Sequence, residues 1–244
     1  MGLPLPLNSN SMKIALFGYG KMGRMIEKVA IERGHHIIAR IDVGTTEIDY
    51  SEMDVAIDFS MPTAAFGNIK QCLENGVPIV SGTTGWLDDY ENAVAFCNAH
   101  KGAFIYASNF SLGVNVFFEL NENLAKMMKK LEQYNVGLEE IHHTQKLDAP
   151  SGTAITLAEG IIANSRYRNW NLEQDKEGEI SIISKRVAEV PGTHIVDYAS
   201  SVDNITIKHT AHNREGFALG AVVAAEWIIG KTGVFSMRDV LNLG

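Results

Sequence analysis

The stretch KIALFGYGKMGRM, residues 13–25, decides the first half of the fold. It opens with a short apolar run that ends at a glycine, which is typical of a buried strand, and it continues into apolar residues at helical spacing. Between the two, Gly18, Gly20 and Gly23 fit the pattern G-x-G-x-x-G. In such a loop the first glycine permits a tight turn, the second lets a pyrophosphate approach the backbone, and the third lets the helix pack on the strand. The stretch therefore predicts a dinucleotide site at the positive end of the helix.

An acidic residue follows at the place where this kind of site requires one. Asp42 lies at the end of the next predicted strand, where its carboxylate is expected to accept hydrogen bonds from the adenine-ribose hydroxyls. A 2′-phosphate would be repelled there, and Val43 supplies no positive charge to hold it. The sequence thus favours NADH as the cofactor. Lys21 or Arg40 could still reach a phosphate, which keeps NADPH as the alternative.

The alternation of strands and helices up to about Phe110 indicates the fold class. Nearly every strand in this part is continuously apolar, as in a parallel sheet covered on both faces. After Phe110 a long helix is followed by a helix and several strands that we expect to pair locally, as in an α+β domain. We therefore predict an α/β fold with a Rossmann-like dinucleotide-binding domain over 12–109 and a second domain over 110–214. The strongly apolar helix within 215–244 is expected to pack back on the first domain. Residues 1–11 are interpreted as a leader or an expression scar.

Two further loops, SGTTG at 81–85 and ASNFS at 107–111, each follow an apolar strand. In an open parallel sheet, ligands bind beyond the carboxyl ends of the strands, so both loops are expected near the nicotinamide half of the cofactor. Gly, Ser, Thr and Asn also favour ordinary turns, and turn formation alone explains either loop equally well.

Composition and charge limit the classes of function. The chain has 244 residues and a formal net charge of −8, which argues against a general affinity for nucleic acid. No apolar run approaches the ~18 residues of a transmembrane helix, so no membrane association is expected. Cys72 and Cys97 fall in predicted helices and are interpreted as free thiols of a cytoplasmic protein.

Residues that carry chemistry concentrate in EEIHHTQKLDAPSGTAI, residues 139–155. A metal site is not expected, because neighbouring histidines diverge in an extended strand and both cysteines lie elsewhere. Ser151 is a candidate N-cap of the following helix, and Gly152 allows a close approach to its backbone, so this end can cap the helix or hold an anion. On this fragment alone, capping without a ligand is the favoured interpretation.

The other end of the same stretch favours proton transfer. A histidine can act as a general acid near neutral pH, and a lysine can supply a proton or a positive charge. The loop spacing lets His142, His143 and Lys146 converge on one ligand without requiring it. Because all three stand beside a possible anion-binding turn, a functional site is favoured over a structural one.

The segment EEIHHTQKLDAPSGTA resembles the E-x-x-H-H-x-x-K-x-D-A-P-S-G-T-A signature of the 4-hydroxy-tetrahydrodipicolinate reductases, also called dihydrodipicolinate reductases. GYGKMGRM, VAIDFS, SGTTG and ASNFSLGVN are similar to the other motifs of this family, in the same order, and the resemblance extends from Met12 to the C-terminus. It implies an NAD(P)H-dependent reductase of lysine and diaminopimelate biosynthesis. The C-terminal domain of such an enzyme binds a small dicarboxylate substrate and builds a homotetramer.

The resemblance also assigns roles to single residues. It implies that His142 is the proton donor or acceptor and that Lys146 is a second proton donor, without deciding which of them delivers the proton. The implied substrate-binding residues are His143, Ser151, Gly152, Thr153 and Arg214. The implied cofactor-binding residues are Gly18, Gly20, Lys21, Met22, Gly23, Asp42, Phe59, Ser60, Gly82, Thr83, Thr84, Ala107, Ser108, Asn109 and Phe110. No metal is implied.

Two features depart from the family pattern. The glycine loop is one residue shorter than the frequent G-x-x-G-x-x-G, and Val43 stands where many relatives carry a basic residue, which argues against strong use of NADPH. Two other hypotheses share the same scaffold: a different amino- or keto-acid dehydrogenase, and a non-catalytic NAD-binding sensor. A sensor has no need of His142 beside Lys146.

Overall fold

The computed structural model describes residues 11–45, 47–172, 174 and 176–243. The strands are β1 (Lys13–Phe17), β2 (His36–Ile41), β3 (Val55–Asp58), β4 (Ile79–Ser81), β5 (Ala103–Tyr106), β6 (Asn135–His142), β7 (Asn169–Leu172), β8 (Glu179–Arg186), β9 (Gly192–Ala199), β10 (Asn204–Ala211) and β11 (Gly233–Phe235). The helices are α1 (Lys21–Glu32), α2 (Pro62–Glu74), α3 (Tyr90–Ala99), α4 (Leu112–Met128), α5 (Gly152–Asn164), α6 (Glu215–Ile228) and α7 (Met237–Leu241). None of the helices in the described ranges is long and apolar enough to cross a membrane.

Contacts between residues divide the chain into two compact units. The described residues up to Leu112, together with those from Glu215 onwards, form the first unit, and Gly113–Arg214 form the second. Of the predicted leader, only Ser11 falls within the described residues, and its hydroxyl donates a hydrogen bond to the carbonyl of Gly34 at 2.8 Å.

The first unit is a parallel sheet with helices on both faces. Its strand order is β11-β5-β4-β3-β1-β2, and every neighbouring pair is parallel. The chain goes from β1 outward to β2 and then returns past β1 to β3, so the order reverses between β1 and β3. This reversal is where open α/β sheets bind their ligands. The Rossmann-like prediction is therefore confirmed.

Alternate residues of β1 supply two separate cores, one on each face of this sheet. Ile14 and Leu16 belong to a core that includes residues of α1 and α6, whereas Ala15 and Phe17 belong to a core that includes residues of α2 and α3. Such alternation explains why the strand is apolar throughout, because both of its faces are covered. Cys72 and Cys97 lie in the second of these cores as buried free thiols, as predicted.

The second unit is a five-stranded mixed sheet in the order β10-β9-β6-β8-β7. The prediction of local pairing holds for the antiparallel hairpin β9–β10, but it is wrong for β8 and β9, because β6 lies between them and pairs with both. The pairs β6–β8 and β7–β8 are parallel. The segment between β6 and β8 contains α5 and β7, and a crossover of this kind brings the chain back in the same direction. The sequence pattern gave no sign of β7 or β11.

One face of the second sheet carries the core of the second unit and one end of it carries the polar site. Burial alternates along β6, so that Val136, Leu138, Glu140 and His142 share the covered face. Val136 and Leu138 pack in a core with residues of α4 and α5. Glu140 and His142 continue the same face beyond the apolar part, and their position determines where the polar site forms.

Candidate active site

The glycine loop after β1 has the geometry of a phosphate-binding turn. Gly18 has φ +88°, and a Cβ added there would lie 2.2 Å from the carbonyl oxygen of Phe59. A Cβ on Gly23 would lie 2.3 Å from the carbonyl oxygen of Gly18. Gly20 is exposed, has no atom within 4 Å of an added Cβ, and is the N-cap of α1 without a side-chain hydrogen bond. The first and third glycines are thus needed for packing, and the second leaves open space before a helix N-terminus, where a pyrophosphate fits.

Asp42 lies exposed directly after β2, with Val43 exposed beside it. Its Oδ1 accepts a hydrogen bond from its neighbour's amide, Val43 N, at 2.9 Å. Arg40 is committed elsewhere, because its guanidinium is paired with the carboxylate of Glu27 and lies 5.6 Å from the ring centroid of Tyr19. The carboxylate is therefore open to a ribose hydroxyl, while the nearby arginine is already neutralised.

Asp58, at the end of β3, was missed by the sequence reasoning, which named only Phe59 and Ser60 after it. The side chain is fully buried, and its two oxygens accept four hydrogen bonds. The donors are Ser60 Oγ at 2.6 Å, Asn68 Nδ2 at 3.0 Å, Ser81 Oγ at 2.8 Å and Thr83 Oγ1 at 2.7 Å. Thr83 Oγ1 also accepts from the amide of Ser60 at 2.9 Å. Asp58 thus fixes the loops after β3 and β4 to each other. The sequence signal that could have indicated this role is that Asp58 is the single acidic residue at the end of an otherwise apolar strand.

The predicted nicotinamide-side residues gather at neighbouring strand ends. A Cβ on Gly82 would lie 2.3 Å from the ring of Phe59, so only glycine leaves that ring its place. The rings of Phe59 and Phe110 are 5.7 Å apart, and Phe110 is buried in the core of the first unit. Thr84 and Ser108 are exposed, whereas Thr83 is buried. Contact with a cofactor is therefore open to Thr84 and Ser108 through their side chains, and to Phe110 only through its main chain.

In the second unit, the loop between β6 and α5 is organised around Glu140. This side chain is fully buried, and its carboxylate accepts hydrogen bonds from Ser151 N at 3.1 Å, Ser184 Oγ at 2.9 Å and Arg186 Nη2 at 3.1 Å. Burial alone would raise its pKa, but contacts with His142, Ser151 and Ser184 outweigh burial and hold the pKa of Glu140 well below its ordinary value. Glu140 is therefore a carboxylate at neutral pH.

His142 ends β6 as a buried side chain beside that carboxylate. Its Nδ1 lies 3.3 Å from Glu140 Oε2, a close electrostatic contact that lacks the alignment of a hydrogen bond. Its ring stands edge-on to that of His194, with centroids 5.0 Å apart. A Cβ on Gly192 would lie 3.2 Å from Nε2 of His142, so the glycine leaves room for the imidazole. His143 follows, half-buried, with Nδ1 enclosed and no hydrogen-bond partner among the described residues.

Lys146 lies in the loop that follows, half-buried, with its ammonium between the two carboxylate oxygens of Asp148 at 2.8 and 2.7 Å. This contact with Lys146 lowers the pKa of Asp148 from its ordinary value. Arg186 holds the main chain of the same loop, since Nε donates to the carbonyl of Lys146 at 3.3 Å and Nη2 donates to that of Asp148 at 2.6 Å. The lysine is thus carried by a fixed backbone and neutralised by one exposed acid.

The N-terminus of α5 confirms one prediction and leaves another open. Ser151 is the N-cap, and its Oγ accepts a hydrogen bond from the amide of Ala154 at 3.2 Å. The same oxygen lies 3.1 Å from His194 Nε2, and Ser151 is buried. Gly152 is exposed, with no atom within 4 Å of an added Cβ, and Thr153 is half-buried. Capping by Ser151 is confirmed, and binding of a carboxylate by residues 151–153 stays a prediction.

A possible metal arrangement arises from Glu140, His142 and His194, whose ligand atoms lie within 4.8 Å of one another. The carboxylate, however, already accepts bonds from Ser151 and Arg186, and a cation there would stand beside the guanidinium. The pKa of His194 is lowered to about 4, mainly by burial and to a smaller extent by the neighbouring His142, so this ring is neutral at pH 7. The arrangement is filled by internal partners, and the expectation of no metal stays a prediction.

Arg214 does not join the other predicted substrate residues by any hydrogen bond or ion pair within the described part of the chain. It is exposed, in the turn between β10 and α6, and is the last residue of the second unit. Sequence reasoning also missed Glu140, Arg186 and His194 as members of the site. Glu140 lies inside the quoted stretch, but the other two come from later strands and no local signal marks them.

Taken together, the second unit presents two side chains that can carry a proton, His142 and Lys146, near a helix N-terminus with an exposed glycine. Such a group can attract an anionic ligand and exchange a proton with it. The first unit presents a turn that fits a dinucleotide. Oxidation or reduction of a small acid with a nicotinamide cofactor needs both of these parts.

Comparisons with known proteins agree with this combination. Residues 12–110 match the family described as "Dihydrodipicolinate reductase, N-terminus", and residues 113–241 match "Dihydrodipicolinate reductase, C-terminus". A 4-hydroxy-tetrahydrodipicolinate reductase of Christiangramia forsetii is 58% identical over 234 residues, which cover 95% of this chain and 98% of that protein. A protein of the same name from Archaeoglobus fulgidus is 35% identical over 261 residues, which cover 95% of this chain and 100% of that protein. A solved structure described as dipicolinate-bound dihydrodipicolinate reductase from Paenisporosarcina sp. TG-14 is 23% identical, covers 94% of this chain and 99% of its own, and has a TM-score of 0.75, which shows a shared fold.

Proposed function

The chain belongs to the dihydrodipicolinate reductase family, and from this we propose that it reduces 4-hydroxy-tetrahydrodipicolinate to tetrahydrodipicolinate with a pyridine nucleotide, in lysine and diaminopimelate biosynthesis. The observation that supports the proposal is the loop between β6 and α5, in which Nδ1 of His142 and the amide of Ser151 both contact Oε2 of Glu140, and which also carries Lys146. That a distant relative of the same fold was solved with dipicolinate bound supports a small dicarboxylate as the substrate.

The cofactor fits the first unit because the space at Gly20 and the uncapped start of α1 suit a pyrophosphate. Gly18, Gly20 and Gly23 would hold that group, and Asp42 would hold the adenine ribose. The bound nicotinamide supplies the hydride. NADH is the preferred form in this proposal, since Asp42 repels a 2′-phosphate and the guanidinium of Arg40 is neutralised by Glu27.

The residues of the second unit meet the needs of the substrate. The substrate would lose its 4-hydroxyl group as water, which leaves a carbon–carbon double bond conjugated with the ring imine. A hydride from the cofactor and a proton would then saturate that double bond. His142 donates or accepts that proton, and Lys146 is a second donor whose charge also stabilises the electron density that reaches the ring. Gly152, which is exposed, and Thr153 bind one carboxylate at the start of α5, and His143 contacts the substrate. Arg214 adds a positive charge for an anionic ligand.

A coupled assay tests the proposal. The substrate is generated in place by its synthase, and oxidation of NADH or NADPH is followed by absorbance at neutral pH. We expect turnover with both cofactors and a higher kcat/KM with NADH. Absence of cofactor oxidation above background would exclude this reaction, and oxidation only with a different amino or keto acid would point to another dehydrogenase on the same scaffold.

A homotetramer built through the sheet of the second unit, and a cytoplasmic location, belong to the same proposal. Light scattering on the purified protein tests the first of these. A mass of about four chains is expected, and a monomeric mass at micromolar concentration would contradict it.

A further inference from the structure

We propose that Glu140 and Arg186 act as a positioning pair, which holds His142 and the loop that carries Lys146 in the arrangement that proton transfer requires. The inference rests on the proposed function for the roles of His142 and Lys146. It assigns roles to two side chains that neither the sequence motifs nor the proposed reaction explained.

The carboxylate of Glu140 contacts both ends of the loop between β6 and α5. Oε2 of Glu140 lies 3.3 Å from Nδ1 of His142 and accepts the hydrogen bond of Ser151 N at 3.1 Å. A single oxygen therefore touches the last residue of β6 and the N-cap of α5. These are the two ends of the loop, so the carboxylate fixes its span as well as the imidazole.

The guanidinium of Arg186 connects this carboxylate to the middle of the same loop. Arg186 donates to Oε1 of Glu140 at 3.1 Å, and it also donates to the carbonyls of Lys146 and Asp148 at 3.3 and 2.6 Å. The planar fork of an arginine suits several acceptors at fixed angles, which a lysine cannot match. The middle of the loop is thus tied to the carboxylate that holds its ends.

Strand register explains why these two residues meet. In the parallel pair β6–β8, Glu140 lies opposite Ser184, and His142 lies opposite Arg186. Side chains two apart on one strand share a face, so the pair is a diagonal contact on the covered face of the sheet. A buried carboxylate is costly unless it is paired and hydrogen-bonded, and loss of either partner leaves a charge without compensation.

The opposite face of the same two strands supplies a matched control. Glu139 and Lys185 form an ion pair at 2.5 Å, one residue before Glu140 and Arg186 respectively. Both side chains are more exposed than those of Glu140 and Arg186, and they point away from His142. Loss of a charge at Glu139 or Lys185 therefore changes the same two strands but leaves the positioning pair of Glu140 and Arg186 intact.

The charge of Glu140 also makes a pH-dependent prediction. The titratable and charged groups around His142 are Glu140 on its own strand, Arg186 on β8, His194 on β9 with His209 beyond it on β10, and Lys146 with Asp148 on the loop. Among these, Glu140 is the nearest negative charge. Its replacement by a neutral side chain removes the negative charge that lies 3.3 Å from Nδ1 of His142, so we expect the pH profile of the reaction to change.

The experiment compares Glu140→Gln and Arg186→Lys with the controls Glu139→Gln and Lys185→Gln in the full chain. For Glu140→Gln we expect kcat to fall about tenfold or more, KM for the substrate to change less than about threefold, and the pH profile of kcat to change. For Arg186→Lys we expect a similar fall in kcat with the pH profile of the parent. The controls should stay within about twofold of the parent with an unchanged profile and unchanged oligomeric mass.

Two outcomes would overturn the inference. One is a Glu140→Gln variant with the parent pH profile and kcat. The other is an equal loss in Glu139→Gln, which would indicate a general effect on the strands. Circular dichroism and thermal melting show whether Glu140→Gln folds. If it does not, the kcat of Arg186→Lys, which retains the positive charge, still tests the positioning pair.

A readout that needs no turnover separates this inference from the proposed function. Hydrogen exchange of the backbone amides between His142 and Ser151 should be faster in Glu140→Gln than in the parent and unchanged in Glu139→Gln. If the parent protein does not reduce the substrate, the proposed function fails while hydrogen exchange still tests the pair. Identical exchange in parent and Glu140→Gln contradicts the pair, whatever the activity.

Discussion

The Oγ1 atom of Thr83 donates a hydrogen bond of 2.7 Å to Oδ2 of Asp58, across the carboxyl ends of two neighbouring parallel strands. Thr83 lies in one of the loops predicted to face the nicotinamide, and Asp58 is buried beneath it. Since a buried carboxylate with four donors is rigid, the shape of the loops that we predict to face the cofactor depends on a residue that has no need to touch it.

The first prediction concerns Asp58→Asn. An amide keeps one acceptor but replaces the other with a donor, so at least one of the hydroxyls of Ser60, Ser81 and Thr83 loses its acceptor. We expect the free energy of unfolding to fall by about 1–3 kcal/mol and the KM for the cofactor to rise several-fold. Denaturant titration and initial rates measure the two effects.

The control for this substitution is Asp54→Asn, an exposed carboxylate just before β3 that accepts the amide of Lys13 at 2.7 Å. Its cofactor KM should match that of the parent. A loss of stability in Asp58→Asn with an unchanged cofactor KM would mean that Asp58 supports the fold and has no influence on the loops.

The second prediction concerns Lys146→Ala. Removal of the ammonium takes away a proton donor and a positive charge, so turnover should fall by about two orders of magnitude. Lys146→Arg separates the two effects, because an arginine keeps the charge and does not release its proton. We expect the substrate KM of Lys146→Arg to match that of the parent and its kcat to stay low. A parent-like kcat in Lys146→Ala would remove the lysine from the mechanism.

A feature could be predicted from the sequence when the residues that form it lie close together along the chain. The glycine loop and the cap at Ser151 depend on residues within a few positions of one another, and Asp42 ends the strand that follows the glycine loop and its helix, so these patterns indicated the correct elements. The first sheet was also accessible, because continuous apolar strands that alternate with helices leave little choice of topology.

The parts that escaped prediction depend on pairing between distant segments. Arg186 and His194 join Glu140 only through the register of β8 and β9 on β6, and nothing in their own neighbourhoods marks them. The parallel pairing of β6 with β8 was missed for the same reason, since turn residues between successive strands favour hairpins and the short β7 carries no pattern. Roles that arise from three strands at once need the fold before they can be assigned.

The third prediction concerns the choice of cofactor. Asp42→Ala removes the acceptor proposed for the ribose hydroxyls and the charge proposed to repel a 2′-phosphate, so NADH should weaken while NADPH weakens less or improves. Dissociation constants for both cofactors, measured by fluorescence or calorimetry, check this. Asp49→Ala is the control, an exposed acid of the same region that bonds Ser51. Equal weakening of both cofactors would mean that Asp42 does not contact the 2′-hydroxyl.

The fourth prediction concerns acid stability and rests on His194. Burial, reinforced by His142, lowers the pKa of this ring to about 4 from an unfolded value of 6.5. Between these pH values His194 is protonated in the unfolded chain but neutral in the folded protein. Its contribution to the free energy of unfolding is therefore fully present above pH 6.5 and is lost as the pH falls toward 4. The full window corresponds to about 3 kcal/mol, and the part between pH 6.5 and 5 to about 2 kcal/mol.

Other titratable groups contribute to the pH dependence of stability in different pH ranges. The carboxyls of Glu140 and Glu226 also have lowered pKa values, but their contributions are lost only below the ordinary carboxyl range, so they leave the interval above pH 5 unaffected. Burial lowers the pKa of His209 as well, and it adds to the same slope with the same sign. His194→Gln should therefore reduce the slope of unfolding free energy between pH 7 and 5 without abolishing it.

Denaturant titrations at several pH values provide the measurement, with His36→Gln as the control because that side chain is exposed. The slope is the informative quantity, since a glutamine at a buried site changes the absolute stability by itself. The parent and His36→Gln should share one slope, and His194→Gln should be flatter by about 2 kcal/mol over the interval. If His194→Gln keeps the parent slope, His194 binds its proton equally well in the folded and the unfolded protein, and burial does not keep this imidazole neutral below pH 6.5.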